Sequence, residues 1–169
     1  MNRKSFVVAV LTVLIMATGA VAQEHQHEGM NHHDEMNKRG DKGMGFDQVK
    51  TTHHFRLFTD GGAIEVSAND AGDTTSRNQI RSHLKHIAML FSDGNFSIPM
   101  FVHDQVPPGV ETMKQQKTAI SYKYEETEHG GRVRITTSSA QALTAIHEFL
   151  RFQIQEHQTS DTQEVTKSM

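Results

Sequence analysis

From Thr51 onward, apolar and polar residues alternate with a period of two. His53, Phe55 and Leu57 fall on one face and His54, Arg56 and Phe58 on the other, the pattern of a strand lying on a core. Asp60-Gly61-Gly62 is a turn signal, and Ile64, Val66 and Ala68 alternate beyond it, which predicts a hairpin. From Asp73 to Asp93 the period becomes helical. Ile80, Leu84, Ile87 and Phe91 form one stripe with Leu90 beside it; Thr74, Thr75 or Ser76 can cap the helix and Gly94 ends it. His83 lies in or at the edge of that stripe and His86 on its flank.

Residues 95–104 read as a short extended segment broken by Pro99, Pro107-Pro108-Gly109 as a rigid loop, and residues 110–115 as a turn of helix. A second hairpin is predicted from Lys117 to Glu126 and Arg132 to Thr137, around His129-Gly130-Gly131. The final helix opens at Ser138 or Ser139 and runs to about His157. Its stripe is Leu143, Ile146, Leu150 and Ile154, with His157 on the same face and His147 just outside it. The order β-β-α-β-β-α predicts an α+β fold: a two-layer sandwich whose antiparallel sheet carries two helices on one face, with two β-β-α halves open to pseudo-symmetry.

That domain spans residues 51–157. Ahead of it, residues 1–22 have the form of an export signal: Arg3 and Lys4, an apolar run from Phe6 to Ala17, and Ala20-Val21-Ala22 as a small-x-small cleavage pattern. The apolar run is short for a bilayer core of about 30 Å, so no stable membrane anchor is expected after cleavage. Residues 23–50 are polar and His/Met-rich, the composition of a disordered arm. Residues 158–169 read as a flexible C-terminal tail.

Charge and cysteine narrow the function. Removing Arg3 and Lys4 with the signal lowers the formal net charge by two, from −3 to −5. With no basic stripe to neutralise phosphates, nucleic acid is not an expected partner. Export to the periplasm or beyond permits disulfides, yet there is no cysteine. Thiolate catalysis, cysteine zinc sites, c-type haem attachment and a His/Cys blue-copper centre are thereby excluded.

Twelve histidines remain as candidate chemistry. In the arm, His25, His27, His32 and His33 with Met30, Met36 and Met44 offer imidazole and thioether donors, suited to Cu(II), zinc or nickel and to Cu(I) respectively. Cleavage after Ala22 would make His25 the third residue of a new N-terminus. A free amine, two backbone amides and that imidazole can wrap square-planar Cu(II) or Ni(II), unless Gln23 cyclises. In the domain, His83 and His147 from the helices, His103 from the loop, and His53 or Met100 make a candidate site for copper, zinc or haem iron. No catalytic residues emerge: Ser121 and Ser139 lack a nucleophile elbow, and Gly40–Gly45 is no Walker loop.

Three stretches, Gly45-Phe-Asp-Gln-Val-Lys-Thr-Thr-His-His-Phe55, Ser97-Ile-Pro-Met-Phe-Val-His103 through Pro107-Pro-Gly109, and Ala145-Ile-His-Glu-Phe-Leu-Arg-Phe-Gln-Ile154, resemble a family of small exported bacterial proteins over about residues 45–161. The resemblance implies one domain and no established activity. Some members carry an aspartate carbamoyltransferase label, but this chain is too short for that two-domain enzyme and lacks its Ser-Thr-Arg-Thr phosphate loop. The expected function is periplasmic metal binding, with copper storage, delivery or resistance foremost and a periplasmic protein as a possible partner. The alternatives are an interaction domain with incidental histidines, and a small haem-binding protein or enzyme.

Overall fold

Two hairpins with two-residue turns build the sheet: β1 (Thr51–Phe58) and β2 (Gly61–Ala68) join through Thr59-Asp60, and β3 (Ile120–Thr127) and β4 (Gly130–Thr137) through Glu128-His129. The computed structural model describes residues 34–168. The export signal and arm positions 23–33 lie outside the described residues. All strands are antiparallel in the order β1-β2-β4-β3, an open four-stranded sheet in an α+β fold. Register aligns Phe55, Ile64, Val133 and Tyr124 across the sheet, and beside them Leu57, Gly62, Ile135 and Tyr122. These rows belong to the same apolar core as Ile80, Leu84, Ile87 and Phe91 from one helix and Ile146, Phe149, Leu150 and Ile154 from another. The opposite rows carry Arg56, Arg134 and Lys123, and His54, Glu65, Arg132 and Glu125, as period-two alternation requires.

Five α-helices accompany the sheet: α1 (residues 34–44), α2 (Thr74–Ser92), α3 (Ser97–His103), α4 (Val110–Gln115) and α5 (Ala140–Glu156). α2 packs on β3 and β4, and α5 on β1 and β2. Asp73, not the following hydroxyl residues, caps α2: its carboxylate accepts from the Ser76 N–H at 2.9 Å and the Ser76 hydroxyl at 2.7 Å. Ser139 caps α5 through the Ala142 N–H. The glycine pairs, read from sequence as turns, instead open β2 and β4. Gly62 lies under Leu150 of α5 and Gly131 under Leu84 of α2, equivalent positions in the two halves. Among the described residues, no helix is long and apolar enough to cross a membrane.

Three expectations need correction. Residues 34–44 of the segment read as a disordered arm are helical, and Met36 and Phe46 are buried. The face of α1 turned from solvent is Met36, Gly40, Gly43 and Met44, spaced i, i+4, i+7, i+8. Gly43 fits against Phe101 and Val102 of α3, and the Arg39 guanidinium donates to the Val102 carbonyl at 2.8 Å in α3's last turn. Half of that stripe is glycine, which reads as disorder by composition but here lets two helices approach.

The extended segment expected before Pro107 is helix α3. Pro99 occupies its first turn, where no intrahelical N–H is required, and Asn95 accepts the Ser97 N–H at 2.9 Å. Finally, the C-terminal tail is held along edge strand β1. Asp161 accepts from the Phe55 N–H and meets the His54 ring, both at 2.9 Å, and Thr166 pairs with Phe58 in a parallel bridge. It covers part of a sheet edge that would otherwise be open to another strand.

Candidate functional site

His53, His83, His103 and His157 line one apolar cavity of about 60 Å³, walled also by Met44, Phe55, Val66, Val102, Phe149 and Gln153. Each imidazole reaches it for a local reason. His53 points inward because it shares the Phe55/Leu57 face of β1. His83 stands one turn before Ile87 on α2, with its ring edge-on to Phe46 at 5.5 Å. His103 is the last residue of α3, and Asp104 then turns the chain away in the left-handed region. Phe149, Gln153 and His157 follow one another at every fourth position of α5 and its C-cap, so they share a face.

The rings form a continuous contact: His53 and His157 centres lie 5.2 Å apart, and those of His157 and His103 lie 5.1 Å apart. His103 is buried, with Nε2 3.0 Å from Gln153 Oε1 and Nδ1 3.7 Å from a Glu156 oxygen. Gln153 is only 4% exposed, yet its Nε2 has no hydrogen-bond partner among the described residues. Reversing the amide would exchange which of its two atoms is unmatched, without removing the deficit. A buried polar atom in this state favours a polar or ionic occupant.

Burial, reinforced by His83 and then His54, pushes the His53 pKa down to about 4. Burial, reinforced by His86, does the same to His83, also to about 4. Both are therefore neutral at pH 7, the form in which imidazole ligates metals. As their nitrogens now point, no three His, Asp or Glu side chains among the described residues are arranged to hold an ion at once. One water needs roughly 10–15 Å³, so the cavity holds a few waters or an ion; organic ligands fill roughly 300–1,000 Å³.

The predicted domain set is thus partly reunited. His53, His83 and His103 line one cavity, whereas Met100 is half-buried against the core and absent from the cavity wall. His147, expected to meet His83 across the helices, is committed elsewhere: its Nε2 lies 2.9 Å from the Phe58 carbonyl and 3.0 Å from that of Gly61. Both partners are acceptors, so Nε2 carries the proton and ties α5 to the β1–β2 turn. We expect His147→Phe to cost about 1–3 kcal/mol by leaving two carbonyls without their donor, read as a shift in the urea midpoint. An unchanged midpoint would contradict this role.

His54 faces Asp161, and His86 is exposed. Met36, counted among the arm's ligands, is a buried packing residue; His25, His27, Met30, His32 and His33 lie outside the described residues. Sequence reasoning missed Gln153, and it placed His157 on the apolar face of the last helix without counting it among the site residues. The every-fourth-residue run from Phe149 through Gln153 to His157 was the available signal. No protein-family model, curated protein or solved structure matches the chain.

Proposed function

We propose that this chain is an exported, periplasmic metal-binding protein for copper, a two-layer α+β sandwich that holds the ion in its histidine-lined cavity for storage, delivery or resistance. The observation that carries this reading is the convergence of four histidines on one small cavity, with Met44 also in its wall. Imidazole and thioether together suit copper in both its oxidation states. Ring rotation about χ2 is needed to aim the nitrogens, and it moves no backbone. The cavity's size favours an ion over a haem macrocycle. The His/Met-rich residues 23–33 supply further donors for capture in the same reading, and delivery would add a periplasmic partner protein.

The test is competition for copper between the mature chain and chromophoric chelators, with Cu(I) under anaerobic conditions and Cu(II) in air. We expect stoichiometric removal of copper from the chelator in at least one state. No removal of either ion would sink the reading.

A further inference from the structure

We propose that His53, His103 and His157 form a three-imidazole centre for a single cuprous ion, entered through the polar groove on the outer side of His53 and His157. The inference rests on the metal-binding reading above and gives it a site, an oxidation state and an entrance.

Ring spacing is the first argument. With metal–nitrogen bonds of about 2.0–2.1 Å, two imidazoles bound tetrahedrally to one ion have ring centres about 5 Å apart. The pairs His53–His157 and His157–His103 stand at 5.2 and 5.1 Å. Rotation about χ2 swings the nitrogens while leaving each ring centre nearly in place. Two of the three pairs that a shared centre needs therefore already stand at its spacing, with His157 in the middle, although the nitrogens are not aimed at one point.

The surroundings select the ion. The cavity wall is mostly apolar, with Phe55, Val66, Val102 and Phe149 in it, so charge entering it gives up part of its hydration. That cost grows as the square of the charge, making a monovalent ion about four times cheaper to bury than a divalent one. Three imidazoles bring no compensating negative charge. The nearest carboxylate to His103 is that of Glu156, 3.7 Å from Nδ1, and one carboxylate balances one monovalent cation. Met44 stands in the same wall, its sulfur accepting from Gln48 Nε2 at 3.6 Å.

The outer contacts fit as well. His103 Nε2 faces Gln153 Oε1, the kind of hydrogen bond by which a ligating histidine is oriented, so Nδ1, on the side of the Glu156 carboxylate, is the nitrogen that would ligate. His53 and His157 also line a second, open groove with Asn37, Gln48, Thr52 and Thr159. They stand in the wall common to both spaces, so an ion arriving in the polar groove meets two of its ligands first.

The experiment uses the full mature chain with His25, His27, His32 and His33 replaced by Asn, so that arm binding does not mask the cavity. In anaerobic competition with a chromophoric Cu(I) chelator, His157→Phe and His53→Phe should each weaken Cu(I) binding at least a hundredfold. Phe preserves the ring packing and removes the nitrogens. Exposed His86→Asn should leave affinity within threefold. Long-range 15N–1H spectra of the unsubstituted chain should show the His53, His103 and His157 ring nitrogens shifting on Cu(I) addition, a readout that stands if a variant fails to fold. Cu(I) binding with those three rings silent, or unchanged affinity in both folded variants, overturns the centre and leaves copper binding by the chain, but at a place other than these three rings. Tighter binding of Zn(II) than Cu(I) overturns the choice of ion. No copper binding by the unsubstituted chain removes both.

Discussion

Gly62→Ala is expected to destabilise the protein by about 3 kcal/mol or more, enough to lower the melting temperature by roughly 10 °C. Gly62 lies in β2 beneath α5, between Leu57 and Ile135 in the cross-strand row. An added Cβ would stand 2.5 Å from the Arg56 carbonyl oxygen and closer still to Leu150 Cδ1. Leu150 could change rotamer at some packing cost. The Arg56 carbonyl is backbone of the paired strand and moves only if β1 and β2 separate locally. The equivalent change at Gly131 is a control, because there the nearest obstacle is the edge of the Tyr124 ring at 2.8 Å, a side chain that can shift. Gly131→Ala should cost less than Gly62→Ala. Thermal melts of the two variants check both statements, and a Gly62→Ala protein melting with the parent would show that neither the Arg56 carbonyl nor Leu150 crowds this position as described.

Acid should destabilise the metal-free protein by several kcal/mol between pH 6.5 and pH 4, with most of the effect traceable to His53 and His83. Both have folded pKa values pushed down to about 4, primarily by burial, against an ordinary 6.5. Between those values the unfolded chain binds more protons than the folded one. Stability therefore falls as pH falls, and the full contribution is present only above about 6.5. One histidine with such a shift is worth about 3 kcal/mol; the two are neighbours and half-buried, so we expect about 3–5 kcal/mol for the pair. Asp161 acts in a different window. Burial raises its carboxyl, but the Phe55 N–H and the His54 ring outweigh that and hold it below the usual carboxylate range, so its contribution is lost only at more acidic pH. Urea unfolding at steps from pH 7 to 4.5 isolates the histidines. His53→Phe/His83→Leu should flatten that profile, and a double variant as acid-sensitive as the parent would refute the assignment.

Both predictions depend on contacts between elements far apart in sequence, and that marks where legibility ended. Strand alternation, the two long helical stripes and the hairpin pairing were visible because each arises from local periodicity. The inward direction of His53 and the outward direction of His54 followed from the same rule. α3 was misread because Pro99 suggests a broken strand, while its place in the first turn of a helix breaks nothing. α1 was misread because the face that packs contains two glycines, which carry no hydrophobic signal.

The sequence by itself determined an α+β chain with two hairpins and two amphipathic helices, without cysteine chemistry, and with imidazoles and thioethers as its candidate ligand groups. Period-two and helical patterns say which way a side chain faces within its own element. Tertiary structure alone decided which histidines meet. It sent His147 to the carbonyls of the β1–β2 turn and joined His157 and Gln153 to His53, His83 and His103 around one cavity. The reason is physical: a residue's neighbours across a core are set by register, helix crossing and close approach at positions such as Gly43 and Gly62, and none of these is a property of one segment.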